Sequence, residues 1–97
     1  MHVSIRRYGV DPSDMDEIAE RVRSGFVPLV SQIPGFVSYK VLDSKDGTLA
    51  SISVFETVEA ARQSDEIAKT WVQENLVGLF SGIPDVIAGE VVVCEPE

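Results

Sequence analysis

The chain opens on an alternating stretch. "HVSIRRY" (2–8) puts Val3 and Ile5 on one face of a strand and Ser4, Arg6 and Tyr8 on the other. The period then changes. Within "VDPSDMDEIAERVRSGFVPLVSQI", Met15, Ile18, Ala19, Val22, Phe26, Leu29, Val30 and Ile33 recur at steps of three and four, the stripe of an amphipathic helix. Asp11 or Ser13 can cap it, and Pro12 suits its first turn. Asp14, Asp16 and Glu17 fall at the positive end of its dipole, and Glu17 can pair with Arg21 one turn on. Pro28 predicts a kink or break, and Pro34-Gly35 ends the helix.

"FVSYKVLD" (36–43) and "TLASISVFE" (48–56) alternate again around "SKDG". Asp46-Gly47 is a two-residue hairpin signal, because a type I′ turn needs positive φ at both central residues. That register sets Tyr39 opposite Val54 and Val41 opposite Ile52. Val3, Ile5, Tyr39, Val41, Ile52 and Val54 then form the face that helices would cover. The second face carries Ser4, Arg6, Ser38, Lys40, Ser51 and Ser53, with Tyr8, Phe36, Leu42, Leu49 and Phe55 among them. Thr57 can cap a second helix and Ser64 a continuation after a bend. Ala60, Ala61, Ser64, Ile67, Ala68, Trp71, Val72, Leu76 and Leu79 give that helix a buried side. "PDVIAGEVVVCE" supplies a last strand centred on 89–94.

The order is β-α-β-β-α-β, an α+β ferredoxin-like arrangement: a four-stranded antiparallel sheet with two helices on one face. The second face is too apolar to be a plain wet face. A second sheet from an identical chain is its simplest cover, which predicts a homodimer. The serines then either let two sheets approach closely or leave room for a ligand.

Composition narrows the function. The 97 residues make one domain with one core and little surplus. A net charge of −8 argues against nucleic acid and against anionic membranes. No apolar run is long enough to span a bilayer, and the start of the chain does not look like a signal sequence, so a cytoplasmic location is the expectation. One cysteine, Cys94, excludes an intrachain disulfide; with one histidine, His2, the chain cannot build a zinc, haem-thiolate or iron–sulfur ligand set. No metal site and no cofactor is expected. "DSKDG" lacks the spacing of a calcium loop, and no phosphate-binding glycine loop or nucleophile elbow is present.

With "PGFVSYKVL", "GTLASISVFET", "SDEIAKTWVQENL" and "GEVVV" in this order, the chain resembles the antibiotic biosynthesis monooxygenase-like family of the dimeric α/β-barrel superfamily over nearly its whole length. The resemblance implies a homodimer whose two sheets form a barrel, with a small cavity between helices and sheet in each subunit. It implies either metal- and flavin-free oxidation of aromatic, quinol-like molecules by O₂, or haem degradation. The haem branch uses a strand-1 asparagine, a helix-2 tryptophan and a histidine ligand near it. Trp71 matches the tryptophan, but strand 1 offers Ser4, Arg6 and Tyr8, and no histidine lies in or after helix 2. Haem degradation is therefore disfavoured.

The pocket candidates are Trp71, Tyr8, Arg6, Ser51, Ser53, Phe55, Lys40 and Asn75. A lone helix tryptophan belongs first to the core and only second to a pocket wall. Asn75 can hold a substrate oxygen, but ending the helix is its simpler role. Arg6 can bind an enolate or carboxylate and Tyr8 can relay a proton; the plainer reading is an ion pair with an acid such as Glu90. Lys40 can face an anion or reach the sheet edge. His2 reads as exposed or paired across the dimer, and Cys94 as a small filler. The function expected is a cofactor-independent monooxygenase acting on an aromatic or quinol-like small molecule, with a cavity of several hundred Å³. The alternatives are a non-catalytic dimeric ligand-binding module, since "GVDPSDMDEI" resembles the first loop of ACT-type amino-acid sensors, or a structural dimer.

Overall fold

The computed structural model describes residues 1–96. Strand β1 (His2–Val10) leads through a 3₁₀ turn (Pro12–Asp14) into helix α1 (Met15–Arg21). A π-helical turn (Val22–Phe26) joins α1 to α2 (Val27–Val30). Strands β2 (Phe36–Asp43) and β3 (Thr48–Phe55) follow, then helix α3 (Val58–Asn75) and strand β4 (Phe80–Glu90). The sheet is antiparallel, in the order β2-β3-β1-β4. This is the expected ferredoxin-like topology.

The caps are local chemistry. Asp11 accepts a hydrogen bond from the Ser13 amide at 2.9 Å, which opens the first helical arm and holds its own carboxyl below the usual range. Thr57 Oγ1 accepts from the Ala60 amide at 3.2 Å and starts α3. Ser64 does not cap a second segment. It lies inside a continuous α3, where its hydroxyl donates to the Ala61 carbonyl at 2.7 Å. The expected Glu17–Arg21 pair forms at 2.8 Å, and Arg21 also donates to the Asn75 carbonyl at 2.8 Å. A cation thus sits on the negative end of α3 and ties the two helical arms together. The irregularity expected near Pro28 is the π turn. Proline lacks an amide for the carbonyl one turn back, and the Val27 amide reaches five residues to the Val22 carbonyl instead.

The hairpin corrects the expected register. Its last pair is Asp43 with Leu49, and the Ser44 amide donates to the Thr48 carbonyl at 3.2 Å. The loop therefore has three residues, 45–47. Positive φ falls on Lys45 (66°) and Gly47 (86°), not on Asp46. Asp46 instead works through its side chain, accepting from the Ser44 hydroxyl at 2.6 Å and the Thr48 amide at 3.1 Å. One residue of slip exchanges the faces of one strand relative to its partner. Tyr39 lies opposite Ser53 and Val41 opposite Ser51.

The helices consequently cover the serine face. Ser4, Tyr8, Val10, Leu49, Ser51 and Phe55 are buried there, against Ile18, Val22, Phe26, Val30 and Trp71. Val3, Ile5, Ile52 and Val54, expected beneath the helices, point to the open face with Lys40 and Leu42. Strand β4 also departs from expectation. It occupies 80–90, and the valines of "VVVC" lie beyond its end. Opposite Tyr8 the β1–β4 register jumps from Arg7–Asp85 to Gly9–Ser81, so 82–84 bulge outward.

The loop assignment has a direct test. Lys45→Gly removes a left-handed side-chain conformation and should stabilise the fold by roughly 0.5–1 kcal/mol, whereas Gly47→Ala should cost about 1 kcal/mol. Urea unfolding of the two variants measures both; a two-residue turn centred on 46–47 would leave Lys45→Gly neutral or destabilising.

Candidate functional site

Between α3, the π turn and the sheet lies a small chamber of ≈ 30 Å³. Its floor is the serine face, where Ser51 and Ser53 leave space that larger side chains would fill. Trp71 forms part of the roof. It is only 8% exposed, packs at 5.6 Å from the ring of Phe26, and rests on Gly25. A Cβ at Gly25 would stand 2.9 Å from Trp71 Cζ2, so the π turn needs glycine there for space alone. Trp71 is thus both core and pocket wall.

Tyr39 enters from β2, and its ring lies 5.3 Å from that of Phe26. Burial pushes its phenol up to about 12, while a hydrogen bond with Ser51 opposes the shift only in part. It remains protonated at physiological pH, where its hydroxyl can both donate and accept a hydrogen bond. Sequence reasoning missed it, because the slipped register placed Tyr39 on the face away from the serines.

The chamber shares Arg6, Tyr8, Asp65, Ala68, Val72 and Phe80 with an open groove of ≈ 570 Å³ between α3 and β4. Tyr8 and Phe80 stack with centroids 4.2 Å apart and form one wall. The 82–84 bulge forms the rim, where Ile83 is 94% exposed. Arg6 reaches from β1 to Asp65 on α3, with Nη2 to Oδ1 at 2.6 Å. The acid expected for Arg6, Glu90, instead meets the terminal amine at 2.9 Å and His2 at 4.0 Å. Asp65 had no local signal. Only the packing of α3 over β1 brings it to Arg6.

Five of the eight candidates therefore meet around one space: Arg6, Tyr8, Ser51, Ser53 and Trp71. Three lie elsewhere. Phe55 is fully buried and packs edge-on to Phe36 at 5.9 Å, outside the lining. Lys40 is exposed on the opposite face of the sheet. Asn75 is exposed, and its amide donates to the Trp71 carbonyl at 2.9 Å, so it closes the helix. His2 and the exposed Cys94 do not line the chamber or the groove.

The family model for antibiotic biosynthesis monooxygenases matches residues 1–73, and the chain belongs to that family. Among curated proteins none matches the sequence. Solved structures share the fold at low identity. A monooxygenase from Streptomyces coelicolor, ActVA-Orf6 in complex with nanaomycin D, is 19% identical with a TM-score of 0.73, covering 96% of this chain and 92% of that one. SnoaB, a cofactor-independent oxygenase from Streptomyces nogalater, is 19% identical with a TM-score of 0.72, covering 99% and 97%. The haem degrader MhuD of Mycobacterium tuberculosis, with two haems in its active site, is 17% identical with a TM-score of 0.75, covering 97% and 98%. Among the described residues no helix is long and apolar enough to cross a membrane.

The buried phenol gives a pH prediction. The unfolded chain releases the Tyr39 proton near pH 10 and the folded chain near 12, so between these values the unfolded state binds fewer protons. Stability should fall as pH rises from about 10 to 12, and Tyr39→Phe should remove that part of the decline. Spectrophotometric titration should find a late-ionising tyrosine near 12 that is absent from the variant; a single transition near 10 for both tyrosines would contradict it.

Proposed function

We propose that the protein is a cofactor-independent monooxygenase acting on a planar aromatic or quinol-like molecule bound in the groove between α3 and β4. The observation that carries this reading is the groove itself: ≈ 570 Å³, walled by the stacked Tyr8 and Phe80, and opening onto the Arg6–Asp65 pair. That volume matches the size of small-molecule sites, and the walls offer mostly apolar surface with a few convergent polar groups. The neighbours ActVA-Orf6 and SnoaB favour oxygenase chemistry over the alternatives. MhuD shares the fold, but the one histidine here, His2, lies outside the chamber, and β1 carries Ser4, Arg6 and Tyr8, so haem degradation is disfavoured.

The chemistry follows from the pair. Asp65 takes a proton from an activated ring carbon, and Arg6 holds the resulting enolate oxygen by charge-assisted hydrogen bonding. The electron-rich anion reacts with O₂ to give a peroxide, which is protonated, with Tyr8 in reach as relay. Loss of water leaves the ketone. The balance is R₂CH₂ + O₂ → R₂C=O + H₂O, with the substrate carbon supplying all the electrons. Oxygen uptake with a panel of anthrones and naphthoquinols, in the presence of a chelator, tests this. Arg6→Gln should lower kcat/KM by about 10²-fold. Uptake no faster than uncatalysed autoxidation across the panel would leave the non-catalytic ligand-binding module.

The assembly is proposed on separate grounds. The open face of the sheet carries Val3, Ile5, Ile52 and Val54, with Leu42 and Ile87 well exposed. A second copy placed sheet to sheet would bury this row and close an α/β barrel. Analytical ultracentrifugation should find a dimer, and Ile52→Glu should give a folded monomer. A monomeric wild-type chain at micromolar concentration would sink the proposal.

A further inference from the structure

The outer seam between α2 and α3 belongs neither to the open sheet face nor to the substrate groove. It is a shallow surface groove, lined by Leu29 from α2 and by Glu66, Ile67, Thr70, Trp71 and Glu74 from α3. Its floor is apolar. Leu29 is 47% exposed, Ile67 is half-buried, and Trp71 closes the bottom. Its rim carries one sign of charge. Glu66 and Glu74 stand two turns apart on α3, about 12 Å at 1.5 Å per residue. Neither has an ion-pair partner among the described residues. No Lys, Arg or His lines the seam. The cations of the first helical arm are committed elsewhere: Arg21 to Glu17 and the Asn75 carbonyl, Arg23 to Glu20. On α3, Lys69 lines the substrate groove on the other side of the helix, and Arg62 lines neither groove.

We propose that this seam docks a basic amphipathic helix of a partner protein. Apolar side chains at three- and four-residue spacing would cover Leu29 and Ile67, and Lys or Arg two turns apart would stand beside Glu66 and Glu74. A helix laid along α3 repeats the spacing of the two carboxylates, so both pairs form in one register. Burial of the floor supplies affinity, and the acidic rim selects the partner and its orientation. Charge complementarity argues against other occupants. A second copy docked here about a two-fold axis would bring Glu66 and Glu74 against carboxylates of the same sign, and an anionic lipid surface would meet the same repulsion. A sheet-to-sheet dimer leaves the seam free, because the helices lie on the opposite face. The inference stands apart from the oxygenase reading and holds whether or not the substrate groove performs chemistry.

A leucine–lysine peptide of about four helical turns, amphipathic as a helix and free of aromatic residues, is the probe. Trp71 is the one tryptophan and lines the seam, so its emission should shift to shorter wavelength as the peptide excludes water. Amide NMR shifts should centre on Leu29, Ile67 and Thr70. Glu66→Gln with Glu74→Gln should weaken binding about tenfold at low salt. Leu29→Ser should weaken it several-fold; its exposure makes misfolding no obstacle. Asp16→Asn with Glu95→Gln removes the same charge outside the seam and should leave binding near the wild-type value. Four results overturn the proposal. The first is no binding, and the second is NMR shifts centred elsewhere. The third is an equal loss in the two double variants, or equal binding of an all-lysine peptide, either of which would mean unspecific attraction to an acidic chain. The fourth is movement of the Leu29 and Ile67 signals with protein concentration alone, which would make a second copy the occupant.

Discussion

The pairing of Asp43 with Leu49 governs which face of the sheet the helices cover. Side chains in a strand alternate strictly, so the length of the β2–β3 loop decides whether Tyr39 and Val41 lie with the serines or with Ile52 and Val54. With three loop residues they lie with the serines. The loop is held by side-chain acceptors as much as by backbone conformation. Asp43 accepts from the Lys45 amide at 2.8 Å, and Asp46 staples Ser44 to Thr48. The Val10 amide then ties Gly47 to β1 at 2.9 Å. A set of polar contacts at the surface thus fixes which residues become core.

The serine face makes a site possible because it is underfilled. A helix-covered sheet face built from valine and isoleucine would close against Phe26 and Trp71 and leave nothing between them. Ser51, Ser53 and Ser64 remove volume in the middle of the layer, and Phe55, Val30 and Ile18 restore tight packing around it. The π turn belongs to the same arrangement. It lets Pro28 enter the first helical arm without breaking it, and it brings Gly25 against the indole of Trp71. Core and chamber share residues here: the tryptophan that fills the core also walls the chamber.

Much of this was legible in the sequence. Element order, both helical stripes, the Thr57 cap, the Glu17–Arg21 pair and the disturbance near Pro28 follow from local spacing and local chemistry. What misled was the phase between strands. Both faces of this sheet are partly apolar, since Val3, Ile5, Ile52 and Val54 are no less hydrophobic than Tyr8, Leu49 and Phe55. Alternation therefore identified two faces without saying which one the helices take. Asp46-Gly47 then looked like a complete two-residue turn, because propensity does not register that Lys45 can adopt positive φ when Asp43 accepts its amide hydrogen bond. In β4 the strand contains Gly82 and Pro84, breaker residues that a bulge accommodates, and the unbroken valines after it gave the stronger strand signal.

The site was half legible for the same reason. Arg6, Tyr8, Ser51, Ser53 and Trp71 were found because they are chemically distinctive on elements whose positions the pattern gives. Tyr39 and Asp65 were not, because each needs a tertiary fact: the hairpin register for one, the packing of α3 on β1 for the other. These two change the chemistry most. Without Asp65, Arg6 is a free cation that would select an anionic ligand. With Asp65 at 2.6 Å the mouth of the chamber is an acid–base pair with little net charge. Such a pair favours a neutral molecule that becomes anionic only when it surrenders a proton, because the carboxylate repels a preformed anion and the guanidinium stabilises one formed in place. That asymmetry is what the proposed oxygenase chemistry draws on, and it rests on one contact between α3 and β1.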